Sequence, residues 1–369
     1  MRKKPGALQR LFAVLLLIGL AVGANFARPA GAAEPPSLEA AVKAGELPPL
    51  AERLPATPLV TDVKAMGREP GRYGGEWRTL IFSAKDVKLL TVYGYSRLVA
   101  YNEKYELVPD ILESYTVDEG RIFTFKLRKG HKWSDGHPFT TEDFRYYWED
   151  VANHEELSPS GPPHEHVIEG EQAKVEIIDE LTIRYSWSYP NPFFLPALAG
   201  PAPLYIYRPA HYLRKFHQKY LVPEASEGDD GQKKKRKGNR NWAATHNNLD
   251  NMYKADNPEL PALEPWVNVT KPPATRYVAK RNPYFHRVDE NGNQLPYIDQ
   301  ITMTIADSKL IPAKVGSGEA DLQARALNFS DYTFLKEGEK RNDYTVRLWQ
   351  TSSGSHLALY PNLTISDEG

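Results

Sequence analysis

The sequence contains no cysteine among its 369 residues. This absence excludes disulfide scaffolds, cysteine-ligated zinc sites, iron–sulfur clusters and thiol catalysis. It also argues against a bacterial lipoprotein, because the lipid of such a protein is attached to a cysteine directly after the cleavage site. The mature chain is therefore expected to be free of a lipid anchor.

Neither sign of charge is in excess, since 46 Lys and Arg residues balance 47 Asp and Glu residues. No overall charge then attracts the chain to nucleic acid or to anionic membranes, and no nucleic-acid partner is predicted. The length is enough for several domains of roughly 100–200 residues each. With 41% hydrophobic and 25% charged residues, most of the chain is expected to fold.

A cleaved signal peptide is predicted at residues 1–33. Arg2 and Lys3 open a positive segment, Leu11–Ala24 is almost entirely apolar, and the small residues Ala30–Ala33 offer cleavage sites. The apolar run is too short to cross a ~30 Å bilayer comfortably, which favours a signal peptide over a membrane anchor.

Periodic patterns predict a mixture of helices and strands. Phe123, Phe125 and Leu127 alternate with polar residues, as in a half-buried strand, and Thr140 before two acidic residues predicts a helix N-cap. Further strands are predicted at Trp77–Phe82, Val175–Ile178, Leu181–Trp187 and Ile301–Ile305, and a helix or a helix entering a strand at Leu89–Tyr101. The fold class is therefore mixed α and β.

Two segments interrupt these patterns. Residues 34–73 are rich in proline and predict an extended arm with one short helix around Leu38–Lys43. Residues 223–266 are polar and contain the basic run Lys233–Lys237 beside an acidic stretch. In a secreted chain this composition favours a solvated surface loop over a nucleic-acid site or an import signal.

No catalytic constellation is found. The sequence lacks a Gly-x-Ser-x-Gly elbow, a Walker A loop and a His-Glu-x-x-His motif, and Gly316–Gly318 lacks the spacing of a dinucleotide fingerprint. His164 and His166 would lie on one side of an extended loop, but no third ligand is identifiable, so a surface loop is favoured over a metal site. The sequence thus favours a binding protein with no cofactor or metal, with a secreted hydrolase as the alternative from another class.

Several blocks of residues together resemble a known family. The blocks are Leu107–Tyr115, Phe123–Gly130, Trp133–Phe144, Lys280–Phe285, Asn291–Asp299 and Gly316–Asp321. They resemble, in order and spacing over residues 74–369, the family 5 extracellular solute-binding proteins, which are the peptide-binding receptors of ABC importers. The motifs are turns, strands and a helix cap, so they indicate the scaffold more than the ligand.

The resemblance implies a two-lobe α/β fold of the type II periplasmic binding protein class, of which mainly lobe I is present. It implies a monomeric, non-catalytic periplasmic receptor that captures a peptide-like solute and delivers it to the membrane permease. An oligosaccharide is the alternative solute. The implied division is a signal peptide (1–33), an arm (34–73), a lobe I core (74–101 and 204–353), a lobe I subdomain (102–203), a polar insert (223–266), and a crossover into lobe II (354–369).

The resemblance also places the solute. The expected contacts are Ser83, Ala84, Lys85, Tyr93, Tyr95, Ser353, Ser355, His356 and Leu357. Main-chain groups of the first and last segments would pair with an extended ligand, as suits a peptide. For the two tyrosines, packing on a helix face is the alternative to ligand contact. For a sugar ligand, Trp133 and Trp187 are candidate platforms, with burial in the core as their alternative.

Two departures from the family pattern concern the ligand and the length of the chain. Thr270–Tyr277 stands where peptide-binding members usually carry Gly-Thr-Gly-Pro, so oligosaccharides, nickel complexes and opines remain alternatives to a peptide. The chain is also shorter than such receptors. We therefore expect a truncated product or a part of a longer reading frame, with nearly all of lobe I and little of lobe II.

Overall fold

The computed structural model describes residues 33–221, 241–349 and 359–364. The predicted signal peptide, apart from Ala33, and the basic run Lys233–Lys237 lie outside these residues. The helices are α1 (Glu39–Lys43), α2 (Leu50–Arg53), α3 (Leu89–Gly94), α4 (Thr141–Arg145), α5 (Phe194–Ala199), α6 (Ala210–Leu213), α7 (Trp242–Leu249), α8 (Ile311–Gly316) and α9 (Tyr332–Asn342). The strands are β1 (Leu59–Thr61), β2 (Glu76–Ile81), β3 (Val99–Tyr101), β4 (Leu107–Pro109), β5 (Leu112–Asp118), β6 (Ile122–Leu127), β7 (Val167–Ile168), β8 (Glu171–Gln172), β9 (Lys174–Asp179), β10 (Thr182–Ser186), β11 (Trp266–Asn268), β12 (Arg276–Arg281), β13 (Arg287–Asp289) and β14 (Gln300–Ile305).

Two four-stranded sheets organise the described residues. One is antiparallel, in the order β5-β6-β10-β9, and it confirms the strand and the hairpin predicted there. Phe123, Phe125, Leu127, Ile183 and Tyr185 are buried on its inner face. The other is mixed, in the order β11-β12-β14-β2, with β14 and β2 parallel. This parallel pair sets the position of the candidate site, because both strands end at the same edge.

The helix predicted after Thr140 is confirmed, and it starts with a capping box. The Thr140 hydroxyl accepts a hydrogen bond from the Glu142 N–H (3.3 Å), and the Asp143 carboxylate accepts one from the Thr140 N–H (3.1 Å). Asp143 also accepts from the indole N–H of Trp133 at 3.1 Å, and Trp133 is fully buried. The cap therefore ties α4, which continues as a π-helix over Tyr146–Ala152, to the larger core.

The short helix predicted around Leu38–Lys43 in the N-terminal arm is confirmed as α1, but the rest of the arm is not simply extended, which corrects that part of the expectation. The arm forms α1, α2 and β1, and β1 pairs in parallel with β13. Arg53 is completely buried, donating to the carbonyls of Pro48 (2.9 Å) and Pro283 (2.5 Å) and pairing with Glu34. The proline content correctly indicated irregular backbone. The packing of the arm against the rest of the protein, however, depends on a partner more than 200 residues away in the sequence.

The expected polar insert is also narrower than its predicted range of 223–266. Trp242, Leu260 and Leu263 are buried in the larger hydrophobic cluster. The Asp250 side chain, which is 4% exposed, pairs with half-buried Arg208 at 2.5 Å. The segment's few apolar residues without a regular period predict a loop, yet the three named above reach the core.

Two clusters of buried hydrophobic side chains are found among the residues that the structure describes. The smaller packs on the mixed sheet around Trp77, Ile81 and Met303. The larger fills the space behind the antiparallel sheet and includes Ile206 and Leu213 as well. The lobe I subdomain was expected to end at residue 203. The two clusters do not divide at this residue, because the residues that follow it still belong to the larger cluster.

Candidate solute-binding site

The candidate site lies where the two parallel strands end. Ile81 closes β2 and Ile305 closes β14, and the Ala306 N–H donates to the Ile81 carbonyl at 2.9 Å. In open α/β sheets, ligands bind in the crevice beyond the carboxyl ends of the strands. The predicted contact segment Ser83–Lys85 follows β2 directly, at this edge.

Ser83 is the N-cap of a 3-10 helix over Ala84–Lys88. Its N–H donates to the Asp86 carboxylate (3.3 Å), and its carbonyl accepts from the Asp86 N–H (3.0 Å). The side chains of Ala84 and Lys85 are exposed. Ser83 thus uses its main-chain groups within its own loop, and the next two residues are helical rather than extended. Ligand contact at these three residues stays a prediction.

A buried carboxylate and an arginine, both missed by sequence reasoning, organise this loop. Asp86 is buried and accepts from the N–H groups of Phe82 and Ser83, each at 3.3 Å. Its other oxygen accepts from the Arg325 Nε at 3.1 Å, and the Arg325 guanidinium lies 4.8 Å from the centre of the Phe82 ring. No local motif signals this pairing, because the two residues are 239 positions apart.

The Ser-Gly-Glu-Ala-Asp motif, which is Ser317–Asp321, has a structural role beside the candidate site. Asp321 accepts from the Arg78 N–H at 2.7 Å and pairs with the Arg78 guanidinium through both oxygens. Gln323 donates to the Leu80 carbonyl (2.9 Å) and accepts from the Leu80 N–H (2.8 Å). These side chains occupy the outer edge of β2 as a neighbouring strand would, so a ligand cannot pair with the backbone there.

The two predicted tyrosines differ in their surroundings. Tyr93 packs against Trp77, with ring centres 5.0 Å apart, and burial raises its pKa, while the charge of Arg325 lowers it. Tyr93 therefore lies close enough to Arg325 for the charge of Arg325 to affect its pKa. Tyr95 donates its hydroxyl hydrogen to the Ala199 carbonyl at 3.0 Å, so that hydroxyl is engaged in packing.

The remaining candidates separate into those outside the structure and those in the core. Ser353, Ser355, His356 and Leu357 lie outside the described residues. Trp133 and Trp187 are buried, which agrees with the core alternative rather than a sugar platform.

The histidine pair does not form the arrangement that alternation predicted. His164–His166 is a single 3-10 turn, in which His164 is exposed and His166 is fully buried. Burial lowers the pKa of His166 from its ordinary value of 6.5 to about 4. In the part of the chain that the structure describes, no group of three metal-ligating side chains is found.

Comparison with known proteins identifies the scaffold. Residues 106–366 match the family model described as bacterial extracellular solute-binding proteins, family 5 Middle. The chain belongs to this family. The resemblance to family 5 that the sequence indicated is therefore confirmed.

Similar proteins include two that are named for binding different kinds of solute. The periplasmic alpha-galactoside-binding protein of Rhizobium meliloti (strain 1021) is 30% identical over 311 residues, which are 78% of this chain and 41% of that protein. The periplasmic oligopeptide-binding protein OppA of Escherichia coli (strain K12) is 30% identical over 127 residues, 31% of this chain and 23% of that protein.

The similar solved structures also include one oligopeptide-binding protein and one protein in complex with a sugar. An oligopeptide-binding protein OppA has a TM-score of 0.72 and 32% identity, covering 85% of this chain and 48% of that one. The periplasmic binding protein MelB of Agrobacterium fabrum C58, in complex with stachyose, has a TM-score of 0.63 and 25% identity, covering 82% of this chain and 44% of that one. The fold is thus that of periplasmic solute-binding proteins, and the chain spans less than half the length of these relatives.

Proposed function

We propose that the chain captures a peptide-like solute in the periplasm and delivers it to the permease of an ABC importer. The observation that carries this proposal is the structural similarity to the oligopeptide-binding protein OppA over most of the chain. In this proposal the solute is bound and released unaltered, and closing of two lobes around it creates the form that the permease recognises. The acting form is a monomer.

The geometry of the candidate site supports a binding role. Asp86 is already occupied by two main-chain N–H groups and by Arg325, so neither charged side chain is poised as a free acid or base. The exposed side chains of Phe82, Ala84 and Lys85 offer apolar and positive surface beside it. Such a surface can hold a solute without reacting with it.

An oligosaccharide is the second candidate solute. The similarity to the alpha-galactoside-binding protein extends over more of this chain than the similarity to the Escherichia coli oligopeptide-binding protein. One of the similar solved structures, that of the periplasmic binding protein MelB, is a complex with stachyose. Both solute classes are therefore included in the binding experiment.

We propose the periplasm as the location and residues 1–33 as a cleaved signal peptide. No helix among the described residues is long and apolar enough to cross a membrane. The alpha-galactoside-binding protein of Rhizobium meliloti and the oligopeptide-binding protein of Escherichia coli are periplasmic by name. N-terminal sequencing of the protein from a periplasmic fraction tests the cleavage, and a start at Met1 would contradict it.

Calorimetric titration separates the candidate functions. We expect saturable binding of tripeptides and tetrapeptides, with raffinose, stachyose and free amino acids giving no signal. Binding of stachyose without peptide binding would assign the oligosaccharide instead. Recovery of cleaved peptide or sugar after incubation would contradict a receptor and favour the hydrolase.

A further inference from the structure

Arg325 is held at the edge where a solute would enter. Its segment runs along β2, anchored by Gln323, whose side chain bonds to both main-chain groups of Leu80. The Arg325 side chain remains 41% exposed, while its partner Asp86 is 2% exposed. An exposed guanidinium on a buried anchor is a preorganised binding group, because its orientation is fixed before the ligand arrives.

The guanidinium has donors left after these contacts. Nε and Nη2 face the same Asp86 oxygen, each at 3.1 Å. No hydrogen bond among the described residues uses Nη1 of Arg325. The guanidinium carbon lies over the Phe82 ring, and Phe82 is 42% exposed and forms an apolar wall on one side. The remaining donors can therefore turn toward an oxygen atom outside the protein.

The local charge favours an anionic oxygen. The negative charge of Asp86 is balanced by Arg325, and the adjacent Lys85 is exposed, which leaves an excess of positive charge. Hydrogen bonds from a guanidinium to a carboxylate are about twice as strong as those between neutral groups. A solute carboxylate fits this surface better than an amide or a hydroxyl.

We propose that Arg325 is a specificity-determining residue, which donates hydrogen bonds from Nη1 to a carboxylate of the bound solute beside Phe82. This assignment rests on the proposed function, and it names acidic peptides as the preferred solute class. Asp86 acts through Arg325 as its positioning residue.

The test compares two tripeptides, Ala-Glu-Ala and Ala-Gln-Ala, which differ in one carboxylate. The full-length protein and the variants R325Q, R325K and R276Q are titrated with both by calorimetry. Arg276 is the matched control, because it is an exposed arginine whose guanidinium pairs with Glu76, the first residue of β2. Thermal unfolding of each variant shows whether the fold is kept.

We expect the unaltered protein and R276Q to bind the glutamate peptide about tenfold more tightly than the glutamine peptide. R325Q should lose this preference, and R325K should keep part of it, because lysine retains the charge but not the planar fork. Equal affinities for both peptides in the unaltered protein, or an unchanged preference in a folded R325Q, would overturn the assignment. Binding of neutral oligosaccharides alone would overturn it and leave a receptor function standing. Binding of no solute would overturn the proposed function as well.

Discussion

Replacing Asp110 with asparagine is expected to lower the free energy of unfolding by about 3 kcal/mol. Asp110 is buried and accepts hydrogen bonds from His286 Nε2 (2.8 Å), Arg287 Nε (2.9 Å) and the Arg97 N–H (2.8 Å). The substitution leaves the charge of Arg287 without its partner. We expect the lower end of the range for broken buried pairs, because the Arg287 side chain remains 20% exposed.

The pKa of Asp110 determines the pH range over which its carboxylate stabilises the fold. Burial by itself raises this pKa, but the charge of Arg287 and the hydrogen bond from His286 hold it well below its usual range. A lowered carboxyl pKa means that the stabilisation is complete above about pH 4 and is lost only in stronger acid.

Urea unfolding of D110N at pH 7 measures the effect. The variant D118N is the matched control, because Asp118 is an exposed aspartate at the end of β5. Its midpoint should stay close to that of the unaltered protein. A D110N midpoint equal to that of D118N would show that the buried ion pair does not stabilise the fold.

Replacing His166 with phenylalanine is expected to favour the folded protein more at pH 5 than at pH 7.5. The change that it causes in the free energy of unfolding should be about 2 kcal/mol more positive at pH 5. His166 is buried against Tyr147, Trp148 and Phe194, and neither ring nitrogen has a hydrogen-bond partner among the described residues. Burial lowers its pKa from 6.5 to about 4. Between these values the unfolded chain binds a proton that the folded chain does not, so the stability falls as the pH falls.

The difference between variant and unaltered protein isolates this histidine. Burial also raises the pKa of Asp143 to about 6 and of Glu264 to about 8, and these groups oppose the histidine in the total pH dependence. Both are present in the variant, so their contributions cancel in the comparison. H164Q, at the exposed histidine of the same turn, should show no gain at pH 5. An H166F gain that is the same at both pH values would contradict the buried neutral histidine.

Local rules were sufficient for the elements whose causes lie within a few residues. Thr140 and Asp143 cap α4 across three positions, and the alternation around Phe125 gives β6 its buried face. At Gly136, φ is +88° and an added Cβ would lie 2.7 Å from the Tyr284 hydroxyl, so the Asp-Gly turn requires glycine. The family motifs are such local devices, which is why they identified the scaffold.

The parts that sequence reasoning missed depend on partners far away in the chain. Arg53 is buried through Pro283, and Trp242 is buried although the sequence before it is polar. The Asp86–Arg325 pair joins the first strand of the mixed sheet to a segment after its last one. Composition and periodicity carry no information on which distant residue will meet which, so the docking of the arm, the buried residues of the insert and the Asp86–Arg325 pair were not predicted.

The most direct test of the central claim is native mass spectrometry of the protein isolated from the periplasm of its source bacterium. We expect a chain that starts within or just after Ala30–Ala33 and carries an intact peptide, which is released on unfolding and identified by its fragment ions. Recovery of the protein with the signal segment attached, or with cleaved products in place of an intact solute, would contradict a periplasmic receptor.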